Sequence, residues 1–150
     1  MSARKPYEQR ERRYVVDYVR TRYPDSYVIY QPKLGSIPEK YMGVDLSGLS
    51  SNIFDVTKRY ADALVSLPDR NVLIEAKILF KIGAIAQLRH YATLIPQTEI
   101  PGIDTSKRLE LQIVTVSVDA QDAAYASTEG VAVVVYQPQY AVEYLSSLLK

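Results

Sequence analysis

Apolar positions along the chain change period several times, and each change marks an element. Tyr14, Val15, Tyr18 and Val19 fall on one side at about 100° per residue, with Arg10, Arg13, Asp17 and Arg20 opposite. This predicts an amphipathic helix over residues 7–23, stopped at Pro24. Glu11 breaks the pattern, because its angle sets it among Tyr7, Tyr14, Val15 and Tyr18. A carboxylate there has to be paired, protonated or bound to a cation. Residues 26–31 are a short β-rich run ending at Pro32. Residues 33–55, with Gly35, Pro38, Gly43 and Gly48, are too long for a mere connector and predict a loop that contacts substrate or moves.

Two further β-rich runs, 59–67 and 71–79, flank Pro68-Asp69-Arg70, whose composition suits a tight reversal and predicts a hairpin. Residues 82–95 have helical character up to Pro96, 97–107 form a loop, and Leu109, Leu111 and Ile113 alternate in a strand over 109–118. A short helix around 122–127 precedes the continuously apolar run 131–136, the pattern of a strand covered on both faces. Residues 140–149 form a closing helix. The order α, β, β, β, α, β, α, β, α predicts an α/β fold in one domain spanning 1–150.

With 47% hydrophobic residues, the 150-residue chain has enough apolar surface for a continuous core. Net charge is +1, but it is unevenly spread. Residues 1–22 hold seven Lys/Arg against three acids, and 96–150 hold three against seven, so a polyanion approaches the N-terminal part. Arg10, Arg12, Arg13 and Arg20 are expected on a solvated helix face, with phosphate contact as the alternative. The absence of cysteine excludes disulfides, thiolate metal sites and cysteine nucleophiles, and suits an intracellular, cytoplasmic protein. No window has the roughly 20 apolar residues of a membrane span, so no membrane partner is expected. Thirteen tyrosines without tryptophan serve mainly as core filler with polar tips, or else as stacking surfaces for bases.

Candidate chemistry sits in the hairpin. Alternation places Tyr60, Asp62 and Leu64 on one face of its first strand, and Leu73, Glu75 and Lys77 on one face of its second. Pairing around the Pro-Asp turn brings Asp62 toward Glu75 and Lys77. Two carboxylates that close share a proton or a divalent cation. Oxygen donors without cysteine favour Mg²⁺ or Mn²⁺ over zinc. The alternative for Glu75 and Lys77 is an ion pair on an exposed edge strand, against which stands their apolar company Val72, Leu73, Ile74 and Ala76.

Ala61-Asp62, twelve intervening residues and Glu75-Ala76-Lys77 resemble the signature of the PD-(D/E)XK nuclease superfamily. Gln87-Leu88-Arg89-His90-Tyr91 is similar to the Gln-x-x-x-Tyr helix motif of its RecB-type members, and Glu11-Arg12 to the Glu-Arg pair of archaeal Holliday-junction resolvases. The resemblance implies a restriction-endonuclease-like αβββαβ core with a mixed central sheet flanked by helices. It also implies a Mg²⁺- or Mn²⁺-dependent deoxyribonuclease of DNA recombination or repair, of a size that would suit a virus-encoded enzyme. Asp62, Glu75, the Ala76 backbone carbonyl and Glu11 would be metal ligands, Lys77 would stand beside the attacking water, and Gln87 and Tyr91 would contact substrate or support the metal and lysine. The partner would be DNA, and the resolvase likeness adds a homodimer. The chain departs from the pattern where Ala61 replaces the nominal proline, where Ala63 replaces the arginine that follows the aspartate in RecB-type members, and where no histidine precedes Asp62. The alternatives to a nuclease are a catalytically silent nuclease-fold module that binds DNA or protein and, within the nucleases, a Holliday-junction resolvase. His90 is given no role.

Overall fold

The computed structural model describes residues 6–35 and 59–150. Helix α1 (Pro6–Arg22) is followed by β1 (Tyr27–Tyr30) and a two-residue strand β2 (Lys33–Leu34). After residue 58 come β3 (Arg59–Tyr60), β4 (Ala63–Ser66), β5 (Arg70–Lys77), α2 (Gly83–Leu94), β6 (Arg108–Thr115), α3 (Ala120–Thr128), β7 (Val131–Val135) and α4 (Gln139–Leu148). Each predicted element is present within a few residues. The segment expected as a long irregular loop lies, from residue 36 on, outside the described residues. At its start, Lys33 and Leu34 are strand rather than loop.

Five strands form one mixed sheet in the order β1-β4-β5-β6-β7. β1 with β4 and β4 with β5 run antiparallel, the latter as the tight turn between them requires. In that turn the Leu67 N–H donates to the Arg70 carbonyl at 2.8 Å. β5 with β6 and β6 with β7 are parallel, each joined through a helix. The strand carrying Glu75 and Lys77 is therefore the centre of the sheet. An exposed edge-strand ion pair is excluded.

Alternation along the strands splits the core in two. On one face Val65, Val72, Ile74 and Val114 pack under Tyr14, Val15, Tyr18 and Val19 of α1 and Ala141 of α4. On the other, Leu64, Leu73, Ile113 and Val131 pack under Ile85, Leu88 and Tyr91 of α2 and Ala126 of α3. The Asp119 side chain caps α3 by accepting the Asp122 N–H at 2.8 Å, and Gly130, at φ 78°, supplies the left-handed residue just past its end.

β7 is an edge strand of the sheet, yet both of its faces carry apolar cover as expected: Val131 and Val133 pack into the α2-side core and Val134 against the α1-side core, while Val135 at its end is 50% exposed. A continuously apolar run reports covered faces but not edge position, because side-chain pattern carries no information about how many neighbours the backbone has. Arg10 and Arg13 are exposed on the outer face of α1 as expected, and each also covers an aromatic ring. Their guanidinium carbons lie 4.1 and 3.7 Å from the ring centres of Tyr144 and Tyr140, tying α1 to α4 by cation–π contacts. Asp17 completes the tie by accepting the Tyr140 hydroxyl at 2.5 Å.

β2 and β3 are a continuation of the β1–β4 pair. Tyr30 stands opposite Ala63, and three residues further along each chain Lys33 stands opposite Tyr60, so the register does not slip. The Gln31 N–H donates to the Asp62 carbonyl at 2.9 Å inside the gap. What interrupts the ladder is a bend: Gln31 takes a left-handed φ of 51° before Pro32, and the facing chain bends at Asp62. That conformation costs a non-glycine residue about 1 kcal/mol or more, so the surrounding hydrogen bonds have to enforce it.

Candidate active site

The bend decides where Asp62 goes. β4 begins at Ala63, opposite Ile74, so β5 runs past the end of β4 and its last residues lack a regular strand neighbour on that side. Asp62 fills the gap. Its backbone N–H donates to the Ile74 carbonyl at 3.2 Å, and its Oδ2 accepts the Ala76 N–H at 2.7 Å. A side chain thus replaces the strand that would have bonded Ala76, which holds the carboxyl over the Glu75 end of β5 as the hairpin register predicts.

Glu75 is 4% exposed. Its Oε1 lies 3.6 Å from Lys77 Nζ, while Oε2 is buried with no hydrogen-bond partner among the described residues. Burial, then the Asp62 charge, push the Glu75 pKa up to about 8 against the pull of Lys77. Burial also raises the Asp62 pKa, outweighing the Ala76 N–H and the Lys77 charge that lower it. For Lys77, burial disfavours the ammonium, but the charges of Glu75, Glu11 and Asp62 overcome it and the pKa is raised. Near neutral pH the cluster therefore carries one charge too many for two carboxylates, and a proton stays on Glu75 unless another cation arrives.

An open cavity of about 340 Å³ adjoins this cluster, lined by Glu11, Arg12 and Val15 of α1, by Tyr30 and Gln31, and by Asp62, Ala76 and Lys77. Glu11 does point inward as its helical angle predicts. Its Oε2 accepts the Ile78 N–H at 3.2 Å, one residue beyond Lys77. Among the described residues no three acidic, histidine or cysteine groups are gathered as a metal would need, so Glu11 is not drawn in beside Asp62 and Glu75. Two carboxylates nevertheless suit Mg²⁺, which is commonly held by one or two of them and keeps several waters. The orphaned Oε2 of Glu75 is an oxygen whose bonding no described residue completes, although Glu75 itself does not line the cavity.

Gln87 and Tyr91 lie one turn apart on α2, and the Gln87 amide donates to the Tyr91 hydroxyl at 2.7 Å. Tyr91 is buried in the core and Gln87 is exposed; neither lines the cavity among the described residues. His90 is exposed beside them. Sequence reasoning missed Gln31 and Tyr30 as cavity residues. The available signal was a polar residue before a proline at the end of a strand, a place where chains turn corners.

The architecture has a solved counterpart. The crystal structure of a repair endonuclease from Pyrococcus abyssi superposes with a TM-score of 0.53 at 12% identity, covering 91% of this chain and 50% of that one. The fold is endonuclease-like. This chain spans about half the length of that endonuclease. No family model and no curated protein matches the sequence. At this identity the likeness concerns the endonuclease-like architecture, the mixed five-stranded sheet between helices, and leaves the chemistry to be argued from the residues. Among the described residues, no helix is long and apolar enough to cross a membrane.

Proposed function

We propose that this chain is a metal-dependent nuclease that hydrolyses phosphodiester bonds in DNA. One observation carries the proposal: a buried pair of carboxyls, Asp62 and Glu75, with an unpartnered oxygen and raised pKa, beside a lysine at an open cavity. Purely structural carboxylates are normally satisfied by neighbours, whereas this pair is short of positive charge. Mg²⁺ or Mn²⁺ held by Asp62, Glu75 and the Ala76 carbonyl would supply a more acidic water and a charge to neutralise the phosphate.

The remaining work falls to groups of the chain. The Ala76 N–H fixes the Asp62 rotamer. Lys77, kept protonated by three acids, orients the attacking water or steadies the negative charge on the phosphoryl oxygens. Glu11 holds the backbone at Ile78 and adds to the field that keeps Lys77 charged. Arg12 at the cavity wall suits a phosphate oxygen, and the hydrogen-bonded Gln87 and Tyr91 are assigned a supporting role on α2.

The test is a plasmid-nicking assay with Mn²⁺ and Mg²⁺ alongside calorimetric titration of Mn²⁺. Nicking and metal uptake that both vanish in Asp62→Asn and Glu75→Gln are expected. Neither signal in the wild type would leave a nuclease-fold module that binds without cutting. A second reading, a Holliday-junction resolvase, is favoured by Glu11 and Arg12 lining the same cavity. It requires four-way junctions to be cut far faster than linear duplex, by a protein of dimeric mass.

A further inference from the structure

The ribbon formed by β2 and β3 grows directly out of the cavity rim. Lys33 is two residues beyond Gln31, and Tyr60 two residues before Asp62; two extended residues reach about 7 Å. The Gln31–Asp62 backbone hydrogen bond locks both arms of the ribbon to the cluster. Lys33 and Tyr60 are a directly opposed antiparallel pair, so their side chains stand on the same face of the ribbon. That face is outward. Tyr60 is 43% exposed and Lys33 is exposed, while the adjacent Leu34 and Ala61 are buried in the α2-side core. The side chain of neither Lys33 nor Tyr60 makes a hydrogen bond, ion pair or ring contact among the described residues. The exposed Tyr27, by contrast, has structural work, its hydroxyl reaching the Pro101 carbonyl at 3.4 Å.

A flat ring and a mobile cation side by side, two residues from the candidate phosphate site, match the chemistry of one nucleotide. The ring takes the face of a base and the ammonium takes the phosphate next to it. A base inside a continuous duplex has both faces covered by its neighbours and offers none to a tyrosine. We propose that the ribbon is a nucleotide-holding arm: Tyr60 stacks on an unpaired base flanking the phosphate in the cavity, and Lys33 neutralises the adjoining phosphate. This rests on the nuclease reading and deepens it, since it assigns the site to DNA with an unpaired nucleotide beside the cut.

The experiment measures binding, with Ca²⁺ in place of Mn²⁺ so that cleavage does not intervene, to two probes. One is a gapped duplex carrying 2-aminopurine in the gap; the other is the same duplex fully paired. Tyr60→Ala should bind the gapped probe roughly tenfold more weakly and lose the fluorescence quenching that stacking produces, with little change on the paired probe. Tyr60→Phe keeps the ring and should behave as wild type. Lys33→Ala should weaken binding to the gapped probe and reduce the salt slope by about one phosphate contact. A wild type that nicks plasmid and binds the gapped probe, with a Tyr60→Ala variant equal to it, overturns the arm and leaves the nuclease standing. A wild type that neither nicks nor binds either probe overturns both.

Discussion

Glu75 on β5 and Gln112 on β6 are buried almost equally, at 4% and 6% exposure, yet their surroundings differ in kind. Gln112 has completed its bonding. Its Oε1 accepts the Tyr18 hydroxyl at 2.9 Å, and its Nε2 donates to the Tyr23 hydroxyl at 3.0 Å and to Glu110 at 2.9 Å. Three elements, α1, the turn after it and β6, are thereby stitched around a neutral amide. Glu75 has one distant ammonium, a carboxyl neighbour and an orphaned oxygen. Burial alone therefore does not mark a site; a shortage of compensating charge does. The Gln112 cluster is complete within the chain, whereas the Glu75 cluster keeps an oxygen that no described residue satisfies.

The largest effect expected to test this contrast is on cleavage. Asp62→Ala or Glu75→Ala should reduce nicking by at least a thousandfold, on the order of the loss of a principal electrostatic group, while circular dichroism shows the fold intact. A folded variant cutting at the wild-type rate would erase the distinction. Lys77→Met should cost roughly a hundredfold in kcat and leave calorimetric Mn²⁺ uptake in place, because the lysine is not a ligand.

Stability should depend on pH at one cluster and not at the other. The folded protein keeps a proton on Glu75 up to about pH 8, while the unfolded chain releases it near the ordinary 4.5. The folded state thus binds the extra proton between these values, and metal-free stability falls as pH rises through that window, by at most about 1.4 kcal/mol per pH unit. Thermal melts with chelator should show this decline, and Glu75→Gln should flatten it and be the more stable protein at pH 8. Mn²⁺ should raise the wild-type melting temperature more at pH 8 than at pH 5.5, since the ion displaces that proton. The smallest effect belongs to the satisfied cluster. Gln112→Leu should cost about 1–3 kcal/mol in denaturant unfolding by stranding two tyrosine hydroxyls, with kcat unchanged.

Much of the architecture was legible because strand and helix periods are written in nearby residues. The run Val72, Leu73, Ile74 and Ala76 marked β5 as central, and the Pro-Asp turn marked its antiparallel partner. From those two facts the approach of Asp62 to Glu75 follows. Less was legible where a residue had two plausible surroundings. Arg10 and Arg13 read as exposed charges and are exposed, but their contacts with Tyr144 and Tyr140 of α4, more than 120 positions away, left no local trace. Val131–Val135 read as a strand with apolar cover on both faces, while its place at the edge of the sheet was not written in that run. Gln87 and Tyr91 matched a motif by spacing, and the hydrogen bond between them follows from that spacing, but their standing outside the cavity does not.

By itself the sequence determined the order of elements, the central place of the acid-x-lysine strand and the closeness of the two carboxyls, because all of these follow from local periodicity and one short turn. Only the tertiary structure decided that Ala76 would bond a side chain instead of a strand, that Gln31 would turn a left-handed corner against Asp62, and that Glu11 would hold Ile78. Those contacts join residues 14 to 67 positions apart. Their geometry depends on how helix and sheet pack and on where one strand ends beside a longer one, which no residue's own neighbours encode.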